Sequence, residues 1–181
     1  MTVDARTAMQ LRNAGIRPES LPAGAKIDGK AIGATPAENV RVEVCPNGTV
    51  RIVIPGPAPG KPRMVRSDKW RKRPATSRYW AWANRIKADV GNSIPAAELV
   101  TELRITAFYE PPGSWSKKRR VAAIGTRHRS KPDGSNILKG VEDCLWPDND
   151  SAIADIVARK RWDWVARLEV EIIIDKPEAI G

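Results

Sequence analysis

Apolar and polar residues alternate most regularly near the end of this chain. Leu168, Val170 and Ile172 fall on one side and Arg167, Glu169 and Glu171 on the other, the period of two that a half-buried β-strand requires. Leu103, Ile105, Ala107 and Tyr109 repeat that pattern against Glu102, Arg104 and Thr106. Val42 and Val44, followed by Val50, Ile52 and Ile54, flank the tight-turn dipeptide Asn47-Gly48 and predict a hairpin or a first strand. Another strand is predicted from Ile153 to about Ala158. Helical spacing occurs in two places. Tyr79, Trp80, Ala83, Ile86 and Val90 form an apolar stripe ending near Val90, with Thr76 or Ser77 as the N-cap. Asn136 to Leu145 predicts the second helix, capped by Ser135 or Asp133, with Ile137, Val141, Cys144 and Leu145 on its apolar side. The order of these elements predicts an α/β (α+β) domain, a small mixed β-sheet packed by helices.

Residues 1–47 read as an N-terminal arm. Thr7 to Ala14 predicts a short helix, after which Pro18, Pro22, Gly24, Gly29, Gly33 and Pro36 break any regular element. The remainder, 48–181, is long enough for one domain with its own core. No apolar run approaches a membrane span, and the opening MTVDARTAMQLRNAG lacks the apolar segment of a signal peptide. The expectation is a cytoplasmic, unprocessed protein with no membrane partner. Cys45 and Cys144 are too few for a disulfide framework, and with His128 alone they make no zinc site. Cys144, on an apolar helix side, reads as core.

Charge changes the picture. The chain carries a formal net charge of +10, unevenly spread. Lys61 to Lys87 holds ten basic residues against Asp68 alone, and Lys117 to Lys131 holds seven with no acid. From Glu142 onward, ten acids face five bases. Clustered cations are the footprint of a nucleic-acid partner, because neutralising phosphates releases condensed counterions. The first cluster, in a Pro- and Gly-rich loop, supplies Lys61, Arg63, Arg66, Lys69, Arg71, Lys72 and Arg73 as DNA-facing candidates. The second supplies Lys117, Lys118, Arg119, Arg120, Arg127, Arg129 and Lys131. Its PPGSWSKKRR segment reads as a basic loop in which Trp115 either anchors the chain or stacks on a base; the anchor is the better reading.

Directly after that cluster the sign flips. Asp133, Glu142, Asp143, Asp148 and Asp150 follow within one helix and the turn after it. Asn136, Lys139 and Asp143 stand at i, i+3 and i+7 and so share one helix face. Oxygen-rich groups of this kind suit Mg²⁺, with Mn²⁺ as a substitute, because such an ion takes one or two carboxylates and completes its shell with waters and substrate phosphate. Lys139 would neutralise charge on a transferring phosphoryl group. The competing role is structural: Asp133 as a helix cap, Asp148 and Asp150 as turn residues. About ten helical residues span roughly 15 Å, so the chain beyond Trp146 must fold back for Asp150 to meet Asp133.

The run KPDGSNILKGVEDCL followed by WPDNDSAI resembles the metal-site signature of the RusA-type Holliday junction resolvases. VRIVIPGPAPGKPR is similar to that family's first strand and basic loop, and ARLEVEIII to its closing strand. The resemblance covers roughly residues 48–176. It implies a homodimeric endonuclease that resolves four-way DNA junctions in recombination and repair, in the cytoplasm of a bacterial or phage-infected cell. It also implies Asp133 and Asp150 as first and last metal carboxylates and Asn136, Lys139 and Asp143 at the helix positions; Asp143 and Asp148 are the next candidates as ligands. Two positions depart from the pattern: Ser135 and Asn149 stand where the family carries acids. A hydroxyl is a poorer Mg²⁺ ligand than a carboxylate, so a branched-DNA-binding protein that has lost cleavage is the alternative. A basic structural or RNA-binding protein is a third reading.

Overall fold

The computed structural model describes residues 25–27, 30–32, 39–63, 65, 73–90 and 93–174, with backbone alone at the first two segments and at Asp150. The predicted helix Thr7 to Ala14 lies outside the described residues. In the arm, β1 (Ala25–Ile27) and β2 (Lys30–Ile32) pair antiparallel as a separate ribbon, where prolines and glycines predicted no regular element. The signal for it was Asp28-Gly29, a hairpin dipeptide between the two short runs.

β3 (Arg41–Val44) and β4 (Val50–Pro55) form the hairpin predicted around Asn47-Gly48. The Cys45 N–H donates to Thr49 O at 2.8 Å and the Gly48 N–H to Cys45 O at 3.0 Å. Gly48 sits at φ 86°, a left-handed conformation open to glycine without a steric penalty. With β5 (Val100–Tyr109), β6 (Asp155–Trp162) and β7 (Arg167–Ile174) these strands build one sheet of order β3-β4-β7-β5-β6. The sheet therefore takes in residues 41–44, ahead of position 48. Only β5 and β6 run parallel. A parallel pair needs a crossover connection, and residues 110–154 provide it.

Three helices accompany the sheet among the described residues: α1 (Pro74–Val90), α2 (Lys117–Ala123) and α3 (Gly134–Leu145). Rows Val50–Ile172–Leu103, Ile52–Val170–Ile105 and Ile54–Leu168–Ala107 cross three strands in register, and every member is buried. Tyr79, Ala83, Ile86 and Val90 of α1 join the same core, as do Ile137, Val141 and Cys144 of α3. The alternate positions carry ion pairs instead, Arg51–Glu171 at 3.2 Å and Arg167–Glu169 at 2.6 Å. One-sided burial of this kind is the signature of a mainly antiparallel sheet. The result is an α+β fold.

Four details depart from the sequence pattern. α1 begins at Pro74, whose missing N–H would have lacked a helical partner anyway. Thr76 and Ser77 consequently lie inside the first turn rather than capping it, and the Ser77 N–H donates to Arg73 O at 2.9 Å. Trp80 leaves the apolar stripe and is 48% exposed. The segment after Ser116 is helix, not loop: KKRRVAA contains good helix formers, and Ser116 Oγ accepts from the Arg119 N–H at 3.4 Å. Finally, β6 starts at Asp155 and runs to Trp162, later and longer than predicted. No helix among the described residues is long and apolar enough to cross a membrane.

Candidate active site

The N-terminal end of α3 is held by two other parts of the chain, strand β6 and the loop after β4. Lys160, on β6, donates its ammonium to Ser130 O and Pro132 O, each at 2.6 Å. The Lys61 N–H donates to Asn136 O at 2.9 Å. Gly60 lies so close that a β-carbon there would sit 2.8 Å from Pro132 Cβ. The loop bearing Gly60 and Lys61 is itself pinned by Tyr109, whose hydroxyl donates to Ala58 O at 2.8 Å. Burial pushes that hydroxyl's pKa well above its ordinary value, so it stays a donor. Between these supports stands Asp133, in the N-cap position of α3 with φ −71° and ψ 144°. Its carboxylate makes no capping hydrogen bond and is exposed. The capping role is thus not the one this side chain performs.

Lys160 is a functional candidate that the sequence reading missed. It stands in register with buried Ala107, two residues before Trp162. A lysine on the helix-covered side of a strand was the only available signal, and it is an uncommon place for one.

Along α3, Asn136 and Lys139 are exposed and Asp143 is half-buried. The Asp143 carboxylate is in close contact with the Lys61 ammonium and lies 3.7 Å from Lys139 Nζ. Asp143 is therefore largely neutralised, and it ties the loop to the helix. Glu142, counted with the acidic cluster by its place in sequence, is only 7% exposed; burial raises its pKa above the usual carboxylate range. It is no solvent-facing ligand. Cys144 is buried as expected, and burial pushes its thiol up to about 11.

Beyond α3 the chain does not fold back toward Asp133. The Trp146 indole N–H donates to Pro95 O at 2.8 Å, and the Asn149 amide donates to the Glu98 carboxylate. The 3-10 turn Asp150–Ala152 packs against the 3-10 turn Ala97–Leu99 that leads into β5. Lys160, which holds Pro132, pairs with Ala107 near the other end of that strand. Leu99 to Ala107 spans about 26 Å at roughly 3.3 Å per residue. Asp133 and the backbone of Asp150 thus stand at opposite ends of α3, with exposed Asp148 beside the latter. Ser135 is exposed in the first turn. Among the described residues no three His, Cys, Asp or Glu side chains gather closely enough to hold a metal ion.

The basic residues form two surfaces. Lys117, Lys118 and Arg119 are exposed on α2 and Arg120 is half-buried. Trp115 anchors this helix: its ring meets Trp162 edge-on at 5.2 Å, while Arg119 lies over the ring at 3.9 Å. Arg127 and Arg129, with Arg161 of β6, line an open groove of about 490 Å³, and Arg127 bridges Arg161 through the backbone. Arg161 was not singled out from sequence. Lys131 is exposed beside them. His128, between the two groove arginines, turns inward and packs on Tyr109 at 4.4 Å and Trp162 at 4.1 Å. In the other basic segment, Arg73 donates to Arg63 O at 2.7 Å, drawing the ends of the loop together. Arg66, Lys69, Arg71 and Lys72 lie outside the described residues.

A protein-family model described as endodeoxyribonuclease RusA matches residues 55–173, well over half of the chain. No curated protein sequence matches it.

Proposed function

This chain belongs to the RusA endodeoxyribonuclease family, and from that membership we propose that it resolves Holliday junctions and other branched DNA by paired, metal-dependent nicks. One observation carries the reading to this particular chain. Asp133 stands uncapped and exposed on a braced helix end, next to the basic surface of Arg127, Arg129 and Lys131. Basic groups draw the phosphate backbone in, and the carboxylate waits where it arrives.

An oxygen-only set of carboxylates fits a hard divalent cation, Mg²⁺ or Mn²⁺. Asp133, Asp148 and Asp150 are the residues that would hold it. When bound, such an ion supplies polarisation of the scissile phosphate and a lowered pKa for the attacking water. Lys139, outward on the same helix face, neutralises charge as it develops on the phosphoryl oxygens. Asn136 orients a water or ligand. The bracing by Lys160 and Gly60 keeps Asp133 in place before substrate binds.

The separation of Asp133 from Asp148 and Asp150 supports a homodimer as the working unit. A junction requires two symmetry-related nicks, and a twofold dimer offers two matching sites. Each site would then combine Asp133 of one copy with the partner's Asp148 and Asp150. Asp133→Asn is expected to slow Mg²⁺-dependent cutting of a labelled four-way junction on the order of 100-fold or more, with junction binding in EDTA retained. Mixing this variant with Asp150→Asn regenerates one intact composite site per heterodimer, so nicking should return. Unaltered cutting by Asp133→Asn would reject this metal site.

The second reading, branched-DNA binding without cleavage, is favoured by Ser135 and Asn149 in place of acids. It predicts selective binding of junctions and no nick in either Mg²⁺ or Mn²⁺.

A further inference from the structure

The cavity between α1 and α3 is lined by Trp80, Ala83, Lys61, Lys87, Cys144 and Pro147. We propose that it binds an unpaired nucleobase of the DNA substrate, stacked on the Trp80 indole. This inference rests on the branched-DNA reading and names a further contact to that substrate.

Trp80 is the first reason. A tryptophan 48% exposed on a helix whose neighbouring Tyr79 is wholly buried leaves much of an indole face in water. Tyr79 meets it edge-on, with ring centroids 5.4 Å apart, and so fixes its orientation without covering it. Gly140 of α3 makes room for Tyr79, since a β-carbon there would fall 3.2 Å from the tyrosine ring. The floor of the cavity is apolar, from Ala83, Cys144 and Pro147.

Size and charge identify the occupant. The cavity encloses about 280 Å³, just under the roughly 300–1,000 Å³ of sites for drug-sized ligands. That admits one planar ring system and excludes a duplex. Lys87 stands at its wall, where the phosphates flanking an inserted base would lie, while Lys61 is taken up by Asp143. The one carboxylate present, Asp143, is already neutralised by Lys61 and Lys139 and does not repel them. Every base has a π-face, so stacking on an indole flanked by cations tolerates any sequence. The outward row from Asp143 through Lys139 and Asn136 then leads along α3 to Asp133, about 15 Å away. A branch point is where unstacked bases and a scissile phosphate occur together.

The test compares DNA carrying an unpaired 2-aminopurine at the branch with a fully paired duplex, both bound in EDTA so that hydrolysis is silent. Trp80→Ala, at an exposed helical site suited to alanine, should weaken binding of the unpaired-base DNA about 5- to 100-fold and duplex binding less than about twofold. Wild type should quench the 2-aminopurine, Trp80→Ala should not, and Trp80→Phe should retain most of the affinity. Equal losses on both DNAs, or no loss on either, would overturn the proposal. So would a shift of Trp80→Ala from dimer to monomer in sedimentation, which would make this face a contact between copies. Failure of wild type to cut junctions in Mg²⁺ would instead reject the nuclease reading and leave the stacking result standing.

Discussion

Gly60 shows how much at this site depends on single atoms. A methyl group there would meet Pro132 Cβ at 2.8 Å, and Pro132 cannot swing aside because Lys160 holds its carbonyl. Gly60→Ala should therefore cost about 1–3 kcal/mol, lowering a circular-dichroism melting midpoint by roughly 2–4 °C per kcal/mol in a chain of this size. A melting curve unchanged by the substitution would show that the loop yields without cost. At this scale the sequence was readable where chemistry is dense. Asp133, Asn136 and Lys139 stand out as candidates because residue types and spacing coincide along one helix, where the structure places all three exposed. The partners that fix them could not. Lys160 lies more than twenty residues downstream and Gly60 more than seventy upstream, and only the folded sheet brings them to Pro132. Trp80 misled for a related reason: it borders the apolar stripe of α1, and whether a bordering residue is covered depends on what packs there.

Elements were legible in proportion to their periodicity. From Leu103 to Tyr109 and from Arg167 to Ile172, β5 and β7 alternate in burial along the expected stretches, because one face of each is buried more deeply than the other. α2 has no apolar stripe to read; its cations disguised it, and its helicity comes from a serine cap and from Trp115 wedged against Trp162. The same wall of rings encloses His128. Burial first, and then nearby Lys160, holds the His128 pKa below its ordinary 6.5. Tyr109 and Trp162 supply the rings packed on it, and Lys160 the charge that acts on it. The folded state thus favours the neutral ring, while the unfolded chain takes up a proton as pH drops below 6.5. The stability associated with the neutral ring is complete above that value and is lost as pH falls toward the lowered, folded-state pKa. Urea unfolding midpoints should accordingly decline between about pH 7.5 and pH 5.5, and His128→Phe should flatten that part of the decline. An identical slope in the variant would assign the acid sensitivity elsewhere.

For the molecule as a whole, the net charge of +10 sets how it meets DNA. Each neutralised phosphate contributes about −0.9 to the slope of log K against log salt. Replacing Arg127, Arg129 and Arg161 together by alanine should reduce that slope by up to about three, measured by anisotropy over a KCl series. A slope unaffected by the triple replacement would take the groove out of the DNA-binding surface. The class of fold and the sign of the charge were both legible in the sequence; strand order was not, because alternation tells which face a strand buries and nothing of its neighbours. That order has a temporal consequence. β7, the last in chain order of the described strands, lies between β4 and β5. Until it arrives, the growing chain holds two unconnected pieces, the β3–β4 hairpin and the parallel pair β5–β6 with the crossover that carries Asp133. Non-local closure of this kind is slow to form. The crossover that carries Asp133 and the β4 side of the sheet are thereby joined only once β7 has docked between them.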